Sequence, residues 1–217
     1  FTTFHPHSLL VSRSDNPLSR PATSTAQATG DFCCPENSIM NTILSLCSAG
    51  LIALGTQAQP TLTAATNTPQ PGGGYTINYG PYVPPGGVGA NQTWNLSGLA
   101  ADSSISVSRM LPSTTINGTH FPTATVAEVS EAVTQYFRVA ADGIHFAGSD
   151  DGNAVIVHVP MGTYLPFPCS YGTVWSTPQH ASFTYLGMGV TRTGTFSGTV
   201  DGYGTLIMPD ATFNNVL

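Results

Sequence analysis

Turn signals recur about every 8–12 residues between positions 59 and 217, and the stretches between them alternate polar and apolar side chains with almost no helical period. Residues 75–79, for example, place Tyr75, Ile77 and Tyr79 on one face of a strand. Asp-Gly pairs at 142–143 and 201–202 each predict a hairpin turn, because this pair readily adopts the positive φ of a tight turn. We therefore predict an all-β domain, either an antiparallel β-sandwich or a curved, half-barrel-like sheet, with about 8–10 strands.

Three of these strands are predicted to form a meander over residues 133–159. If Asp151 and Gly152 are the central turn residues of its second hairpin, His145 and His158 lie directly opposite each other. Segment 124–132 remains open between helix and strand, because two of its valines are three residues apart. The strands expected in the last third of the chain cover residues 181–186, 190–200, 203–208 and 212–217.

Charged side chains are scarce, at 7% of the 217 residues against about 25% in an average soluble protein. All five basic residues are arginines, and the formal net charge is −6. A groove that binds nucleic acid needs a dense basic patch, so we expect no nucleic-acid partner. The lack of lysine also excludes a glycine-rich phosphate loop that ends in lysine, and no cofactor is expected.

Residues 40–58 have the layout of a secretory signal peptide. An uncharged apolar run of about 15 residues, shorter than the ~20 that span a bilayer, leads into Thr56-Gln57-Ala58. A membrane anchor, a lipoprotein cleaved at Cys47 and a buried helix are the alternatives. On the signal-peptide interpretation, residues 1–39 are a disordered leader or are translated from upstream of the true start. Residues 59–217 are then a single β domain, truncated at the C-terminus, secreted or displayed on the cell surface, with no membrane span in the mature chain.

Two segments of this domain resemble a known group of proteins. Gly89-Ala90-Asn91-Gln92-Thr93-Trp94-Asn95-Leu96-Ser97 is similar to a "GANQTWDFS" stretch, with Asn95 and Leu96 in place of Asp and Phe. The run from Gly202 through Pro209 to Leu217 resembles a second recurring segment of the same proteins, which are secreted, mostly uncharacterised all-β proteins of the Bacteroidota. The resemblance implies export by type IX secretion, with a sorting domain beyond Leu217, and it implies no known enzymatic activity.

Carboxylate groups offer two candidates for chemistry. Asp150-Asp151 would suit a calcium loop, but the alternating oxygen ligands and the later glutamate of such loops are missing, which favours a hairpin turn. Glu128 and Glu131 would be neighbours on a helix, as a pair of catalytic carboxylates requires, but a solvated face explains them as well. We therefore expect no catalytic residue.

Histidine and cysteine offer little more. His120, His145 and His158 would suit zinc or copper, but no complete ligand set is visible, and ordinary strand histidines are favoured. Cys169 is the one cysteine left after signal cleavage, and we expect a small buried hydrophobe rather than a nucleophile. No metal site is therefore predicted.

Aromatic side chains give the better argument for binding, because their flat, amphipathic rings stack on sugar rings. Trp94, Trp175 and Tyr203 are the candidate ligand-binding residues, and a glycan or another cell-surface polymer is the candidate partner. The predicted function is a non-catalytic secreted or surface domain with a structural, adhesive or interaction role. A carbohydrate-binding module is the first alternative, and a secreted hydrolase is the second.

Overall fold

The computed structural model describes residues 10–12, 59–84 and 86–217, and these residues are mostly β-structure. Their strands form three sheets, joined by one four-residue helix and two short 3-10 helices, so the all-β prediction is confirmed. The elements are β1 (Leu10–Ser12), β2 (Thr61–Leu62), α1 (Ala64–Asn67), β3 (Gly74–Tyr79), β4 (Gly89–Asn95), β5 (Ser103–Met110), the 3-10 helices Pro112–Thr114 and Gly118–His120, β6 (Val126–Val129), β7 (Thr134–Ala140), β8 (Gly143–Asp150), β9 (Val155–Pro166), β10 (Cys169–Ser170), β11 (Val174–Tyr185), β12 (Met188–Thr199), β13 (Gly202–Ile207) and β14 (Thr212–Val216).

Nine of the strands form one antiparallel sheet in the order β1-β3-β5-β6-β7-β8-β9-β11-β12. The predicted meander exists, because β7, β8 and β9 are neighbours in the sheet as well as in the chain. The segment left open between helix and strand contains β6, which pairs with β5 on one side and β7 on the other. Pairing on both sides satisfies its backbone groups and decides in favour of the strand.

Two hairpins of this sheet end in tight turns. At the first, the predicted turn at Asp142-Gly143 is confirmed, since Ala140 and Gly143 are the last paired residues. Gly143 has a φ of 152°, and a Cβ atom there would lie 2.5 Å from the carbonyl oxygen of Leu165. The second hairpin, β11–β12, is longer than predicted, because its turn consists only of Leu186 and Gly187, both with positive φ.

The hairpin predicted at Asp201-Gly202 is wrong. β12 and β13 belong to different sheets, and β13 lies between β4 and β14 in a three-stranded sheet, parallel to β4 and antiparallel to β14. Gly202 is buried opposite Gly89, where a Cβ atom would lie 3.0 Å from Cζ2 of Trp94. This glycine therefore allows close packing against an indole, whereas the sequence pattern suggested a turn.

One face of the large sheet carries a closed core, which we call the sealed face (Phe121, Ala127, Tyr136 and Ala147). Phe121 stacks on Tyr136 with ring centroids 3.8 Å apart, and the Tyr136 hydroxyl lies 2.8 Å from the Thr115 hydroxyl. Phe121 and Thr115 belong to the connection between β5 and β6, which therefore covers this face.

The opposite face is concave. Phe146 on β8 and Phe196 on β12 are three strand spacings apart in the sheet order, roughly 14 Å if the sheet were flat. Their ring centroids nevertheless lie 5.8 Å apart, because the sheet curls and Gly162 on β9 leaves the space that Phe196 fills. A Cβ atom on Gly162 would lie 2.0 Å from the Phe196 ring. We call this side the concave face (Val126, Phe137, Phe146, Tyr164 and Phe196, with Tyr75, Arg109 and Glu128 at one end).

Most of the predicted leader lies outside the described residues, as does the whole predicted signal peptide at 40–58. Within the leader at 1–39, β1 pairs antiparallel with β3 through the backbone, with Val11 opposite Ile77. Among the described residues, the one α-helix has four residues, and no helix is long and apolar enough to cross a membrane.

Candidate functional site

Trp94, the first predicted ligand-binding residue, is held inside the three-stranded sheet. Its indole N–H donates to the carbonyl oxygen of Gly87 at 3.1 Å. The ring lies against two glycines, since Cβ atoms on Gly86 and Gly202 would lie 2.2 Å and 3.0 Å from it. The half-buried indole therefore packs within the domain, in space that the two glycines leave free.

Trp175 has the same arrangement in the large sheet. Its indole N–H donates to the carbonyl oxygen of Thr163 at 3.1 Å. Gly198 lies directly opposite on β12, and a Cβ atom there would be 2.3 Å from the indole. An aromatic ring that covers a glycine on the neighbouring strand shields exposed backbone and stabilises the sheet.

Tyr203, the third predicted residue, packs against another tyrosine. Its ring centroid lies 5.6 Å from that of Tyr171, with the ring planes tilted by 59°. Among the described residues, the rings of Trp94, Trp175 and Tyr203 therefore have three different sets of neighbours. The structure does not bring them together into one surface.

Sequence reasoning did not single out Tyr164 from the other tyrosines, although it is the most exposed aromatic residue of the concave face. Ile144 pairs with Leu165 and His145 with Thr163, so Tyr164 is the extra residue of a β-bulge in β9. Its ring lies beside Phe137 and Phe196, at centroid distances of 5.9 and 6.4 Å, while 52% of its surface stays exposed. Bulges commonly re-aim side chains next to functional sites.

An ion pair lies at one end of the concave face. Arg109 on β5 and Glu128 on β6 are directly opposite, and Nε of the guanidinium donates to Oε1 of the carboxylate at 3.0 Å. The Tyr75 hydroxyl donates to Oε2 of the same carboxylate at 2.7 Å, and the guanidinium lies 4.9 Å above the Tyr75 ring. Hydrogen bonds from two strands and a cation–π contact thus fix this group of three.

The electrostatics of this end favour neutral tyrosines. Burial, followed by the hydrogen bond to Glu128, raises the pKa of Tyr75 above its ordinary value. Partial desolvation, followed by the negative charge of Glu128, also raises the pKa of Tyr164. Both phenols therefore remain hydrogen-bond donors throughout the physiological pH range.

The other end of the concave face contains polar groups without hydrogen-bond partners in the described residues. His158 is 2% exposed, and neither of its ring nitrogens is satisfied. Burial, followed by the positive charges of Arg192 and His180, lowers the pKa of His158, so the imidazole is neutral at pH 7. Gln179 Oε1 is likewise unsatisfied, and Gln179 lies two residues from Ala181, the pairing partner of His158.

A shallow groove borders the concave face where β6 begins and β7 ends. It has a volume of about 220 Å³ and lies between the segment 68–71 and the strands that carry Val126 and Val139. Val126 lies opposite Phe137, so the groove opens on the same side of the sheet as the aromatic cluster. The groove shares one residue with the concave face, the buried Val126.

The predicted opposition of His145 and His158 is wrong. The turn between β8 and β9 has four residues rather than two, and bulges shift the register, so that His145 lies opposite Thr163 and His158 opposite Ala181. Nowhere in residues 59–84 and 86–217 do three potential histidine, cysteine or carboxylate ligands come within reach of one metal ion. His120, at the end of a 3-10 helix, joins neither of the other two histidines.

His145 instead belongs to a hydrogen-bonded chain on the side of the sheet opposite to Phe146. Its Nε2 lies 3.1 Å from Oδ1 of Asp142, and its Nδ1 lies 3.3 Å from the Thr163 hydroxyl. Arg138 approaches the second Asp142 oxygen at 3.6 Å. The hydrogen bond to His145 is the main cause that lowers the pKa of Asp142. The chain ties the β7–β8 turn to the neighbouring strand.

The other two pairs of candidate carboxylates have the following places in the structure. Asp150 and Asp151 accept four hydrogen bonds within and beside their turn, including one from the Asn117 amide at 2.7 Å, which agrees with the hairpin interpretation. Glu128 lies on β6 and Glu131 in the following turn, so the two are not neighbours on a helix.

The cysteine of the domain also has the predicted environment. Cys169 is fully buried and free, and burial raises the pKa of its thiol. A raised pKa disfavours the nucleophilic thiolate. The expectation of a small buried hydrophobe is confirmed.

No protein-family model, curated protein or solved structure matches this chain. The geometry of the concave face and the sequence patterns are therefore the basis for a functional assignment.

Proposed function

We propose that residues 59–217 form a secreted or cell-surface interaction domain without catalytic activity, and that its binding surface is the concave face. The observation that carries the proposal is Tyr164, the extra residue of a β-bulge in β9, whose half-exposed ring lies beside the rings of Phe137 and Phe196. An exposed aromatic ring held by packing loses little side-chain entropy on binding, which favours its use as an anchor.

The non-catalytic part of the proposal rests on the carboxylates. Both oxygens of Glu128 accept hydrogen bonds from within the domain, and Asp142, Asp150 and Asp151 hold turns. General acid–base chemistry needs a carboxylate that can reach a substrate proton. The proposed secreted or cell-surface localisation of the protein rests on the apolar run and the small residues at 40–58, which predict secretion.

Carbohydrate is the second, more specific candidate, favoured by the neighbours of Tyr164. A sugar ring stacked on Tyr164 would lie beside the ion pair of Arg109 and Glu128. Within this pair, the guanidinium of Arg109 donates to Glu128 only through its Nε–H. The other guanidinium N–H groups of Arg109 would donate to sugar hydroxyls, as planar donors do in polar recognition. The ligand class would be a surface or matrix polysaccharide, which offers both an apolar ring face and hydroxyl groups.

Binding to a panel of immobilised polysaccharides and cell-envelope fractions tests the proposal. Tyr164→Ala should weaken binding by roughly tenfold or more, the loss of about 1.4 kcal/mol or more of contact energy. Tyr185→Ala is the matched control, since this tyrosine is 39% exposed at the tip of the β11–β12 hairpin. Equal losses in both variants, or binding that depends on Trp94 and Tyr203 but not on Tyr164, would contradict the concave face as the binding surface.

Two further measurements address the rest of the proposal. Release of reducing ends or acyl groups from a bound polymer by the purified chain would overturn the non-catalytic assignment. Expression with residues 40–58 in a secreting bacterium should yield a mature protein that begins at Gln59, as shown by the mass of the secreted product. Retention of the intact chain in the cell would count against secretion.

A further inference from the structure

β12 is an edge strand with an unusually regular backbone. In the part of the chain that the structure describes, it is the last strand of the nine-stranded sheet and pairs only with β11. All twelve of its residues pair with β11 without a shift in register, from Thr199 opposite Val174 to Met188 opposite Tyr185. Its outer backbone N–H and C=O groups therefore form an uninterrupted row along its whole length.

Apart from Arg192, this strand has none of the features that keep sheet edges apart. Natural edge strands are protected by lysines, prolines, bulges or inward-pointing charges. β12 contains no proline, no lysine and no acidic residue, and Arg192 is its one charged side chain. Such an edge is a template for another strand.

We propose that a second copy of this chain pairs antiparallel along β12, about a two-fold axis that passes between the two Gly194 residues. A two-fold axis perpendicular to the sheet sets side chains of the same face opposite each other, so odd positions pair with odd ones and even with even. This restriction leaves few registers, and the side chains of β12 distinguish among them.

With Gly194 on the axis, every pair of side chains is compatible. Thr193 lies opposite Thr195 of the second copy, and Thr191 lies opposite Ser197, so hydroxyls face hydroxyls. Arg192 lies opposite Phe196 of the second copy, which allows a cation–π contact.

Two neighbouring registers create less favourable side-chain pairs. An axis at Arg192 would set two guanidinium groups directly opposite each other, which is destabilising. An axis at Thr193 would set Arg192 opposite Gly194 and remove its aromatic partner. Of these three registers, the one centred on Gly194 is the one that keeps the guanidinium groups apart and gives Arg192 an aromatic partner.

This pairing would join the two concave faces into one surface, because Arg192 and Phe196 lie on the concave side of β12. Two Tyr164 sites would then point to the same side of an eighteen-stranded sheet, twice the nine strands of one copy. The inference itself does not depend on the proposed binding function, since it rests on the edge strand alone.

Disulfide cross-linking tests the register in the full chain, with Cys33, Cys34 and Cys47 replaced by serine. Directly opposite Cα atoms in an antiparallel pair lie roughly 4.5–5.5 Å apart, which a disulfide can bridge. Gly194→Cys should therefore form a covalent dimer under mild oxidation. The matched control Thr191→Cys should not, because the two residues would be six positions, or roughly 20 Å, apart. Efficient cross-linking of Thr191→Cys, or none with Gly194→Cys, would overturn the register.

Charge variants at the two central threonines test the pairing without a cross-link. Thr193→Lys combined with Thr195→Lys sets like charges opposite each other, whereas Thr193→Glu combined with Thr195→Lys sets opposite charges there. Analytical ultracentrifugation across a roughly hundredfold range of concentration should show a dimer for the wild type and the Glu/Lys variant. The Lys/Lys variant should dimerise at least about tenfold more weakly. A monomeric wild type, or equal dimerisation of the two variants, would overturn the proposal.

Discussion

The two faces of the large sheet are made by the same strands but treat their aromatic residues differently. On the sealed face, Tyr136 is fully buried, stacked on Phe121 and hydrogen-bonded to Thr115. On the concave face, Tyr164 rests on Phe137 and Phe196 but keeps 52% of its surface in solvent. Strand alternation divides the side chains between the faces, and the covering connection decides which face becomes a core.

This difference separates the residues that stabilise the fold from those of the proposed binding surface. The β5–β6 connection seals one face, so burial there contributes to folding free energy. On the concave face, the curvature of the sheet buries Phe137 but leaves the Tyr164 ring half exposed. Tyr164 therefore contributes little to the folding free energy, and its ring stays accessible from solvent. An exposed aromatic ring beside a fixed ion pair is typical of a binding surface rather than of a core.

The largest expected effect is on the sealed face. Tyr136→Ala should lower the free energy of unfolding by about 3–5 kcal/mol, because it leaves a cavity in a closed core and removes the hydrogen bond to the Thr115 hydroxyl. Tyr164→Ala should cost about 1 kcal/mol or less. Chemical denaturation of both variants measures the two values, and comparable losses would show that the two faces do not differ as described.

The ion pair on the concave face gives the next largest effect. Glu128→Gln removes the charge that Arg109 and Tyr75 share, and both ion-pair side chains are largely buried, at 22% and 14% exposure. We expect a loss of roughly 1–3 kcal/mol in the free energy of unfolding. Glu131→Gln, at an exposed turn, is the control and should change stability by less than about 0.5 kcal/mol. A loss as small as the control's would mean that the ion pair does not hold this end of the face.

The sequence predicts the strands and hairpins of the large sheet better than it predicts which residues meet on each of its faces. Alternation and turn residues locate the meander and the Gly143 hairpin, because both are local properties of the chain. The pairing of β13 with β4 brings together residues more than a hundred positions apart, and nothing local distinguishes the glycine of a close contact, Gly202, from the glycine of a turn.

Predicting the candidate site from the sequence would have required even more knowledge of which strands are neighbours. Trp94 and Trp175 are large aromatic residues, but their indoles pack against glycines on adjacent strands. Which glycines these are can be recognised only once the strand register is known. Tyr164 is the extra residue of a bulge in β9, and its ring meets Phe137 and Phe196 from strands that lie elsewhere in the chain. Bulges leave no clear signal in a single sequence, so the exposed tyrosine could not be separated from the buried ones.

At high pH the concave face should control stability. The pKa of Tyr75 is raised in the folded state, so above its unfolded value of 10.0 the unfolded chain loses a proton that the folded chain keeps. The free energy of unfolding should therefore fall as the pH rises above about 10. Tyr75→Phe should flatten this alkaline decline, while Tyr79→Phe, an exposed position on the same strand, should leave it unchanged. An identical decline in all three proteins would exclude Tyr75 as its source.

At low pH the smallest effect should come from the opposite side of the sheet, through Asp142. The hydrogen bond to His145 lowers the pKa of this carboxyl below its ordinary value of 3.8, so the folded state binds the proton less readily than the unfolded state does. This contribution to stability is complete above that value and is lost as the pH falls through the lower, folded value. Asp142 is 66% exposed, and solvent screening keeps the contribution small. Denaturation between pH 2 and pH 5, a range of about 1–2 units on either side of the ordinary value, should show a shallower acid decline for Asp142→Asn than for the wild type. Asp210→Asn, at the exposed turn between β13 and β14, should retain the wild-type slope, and an unchanged slope in Asp142→Asn would show that the turn is not held by its carboxylate.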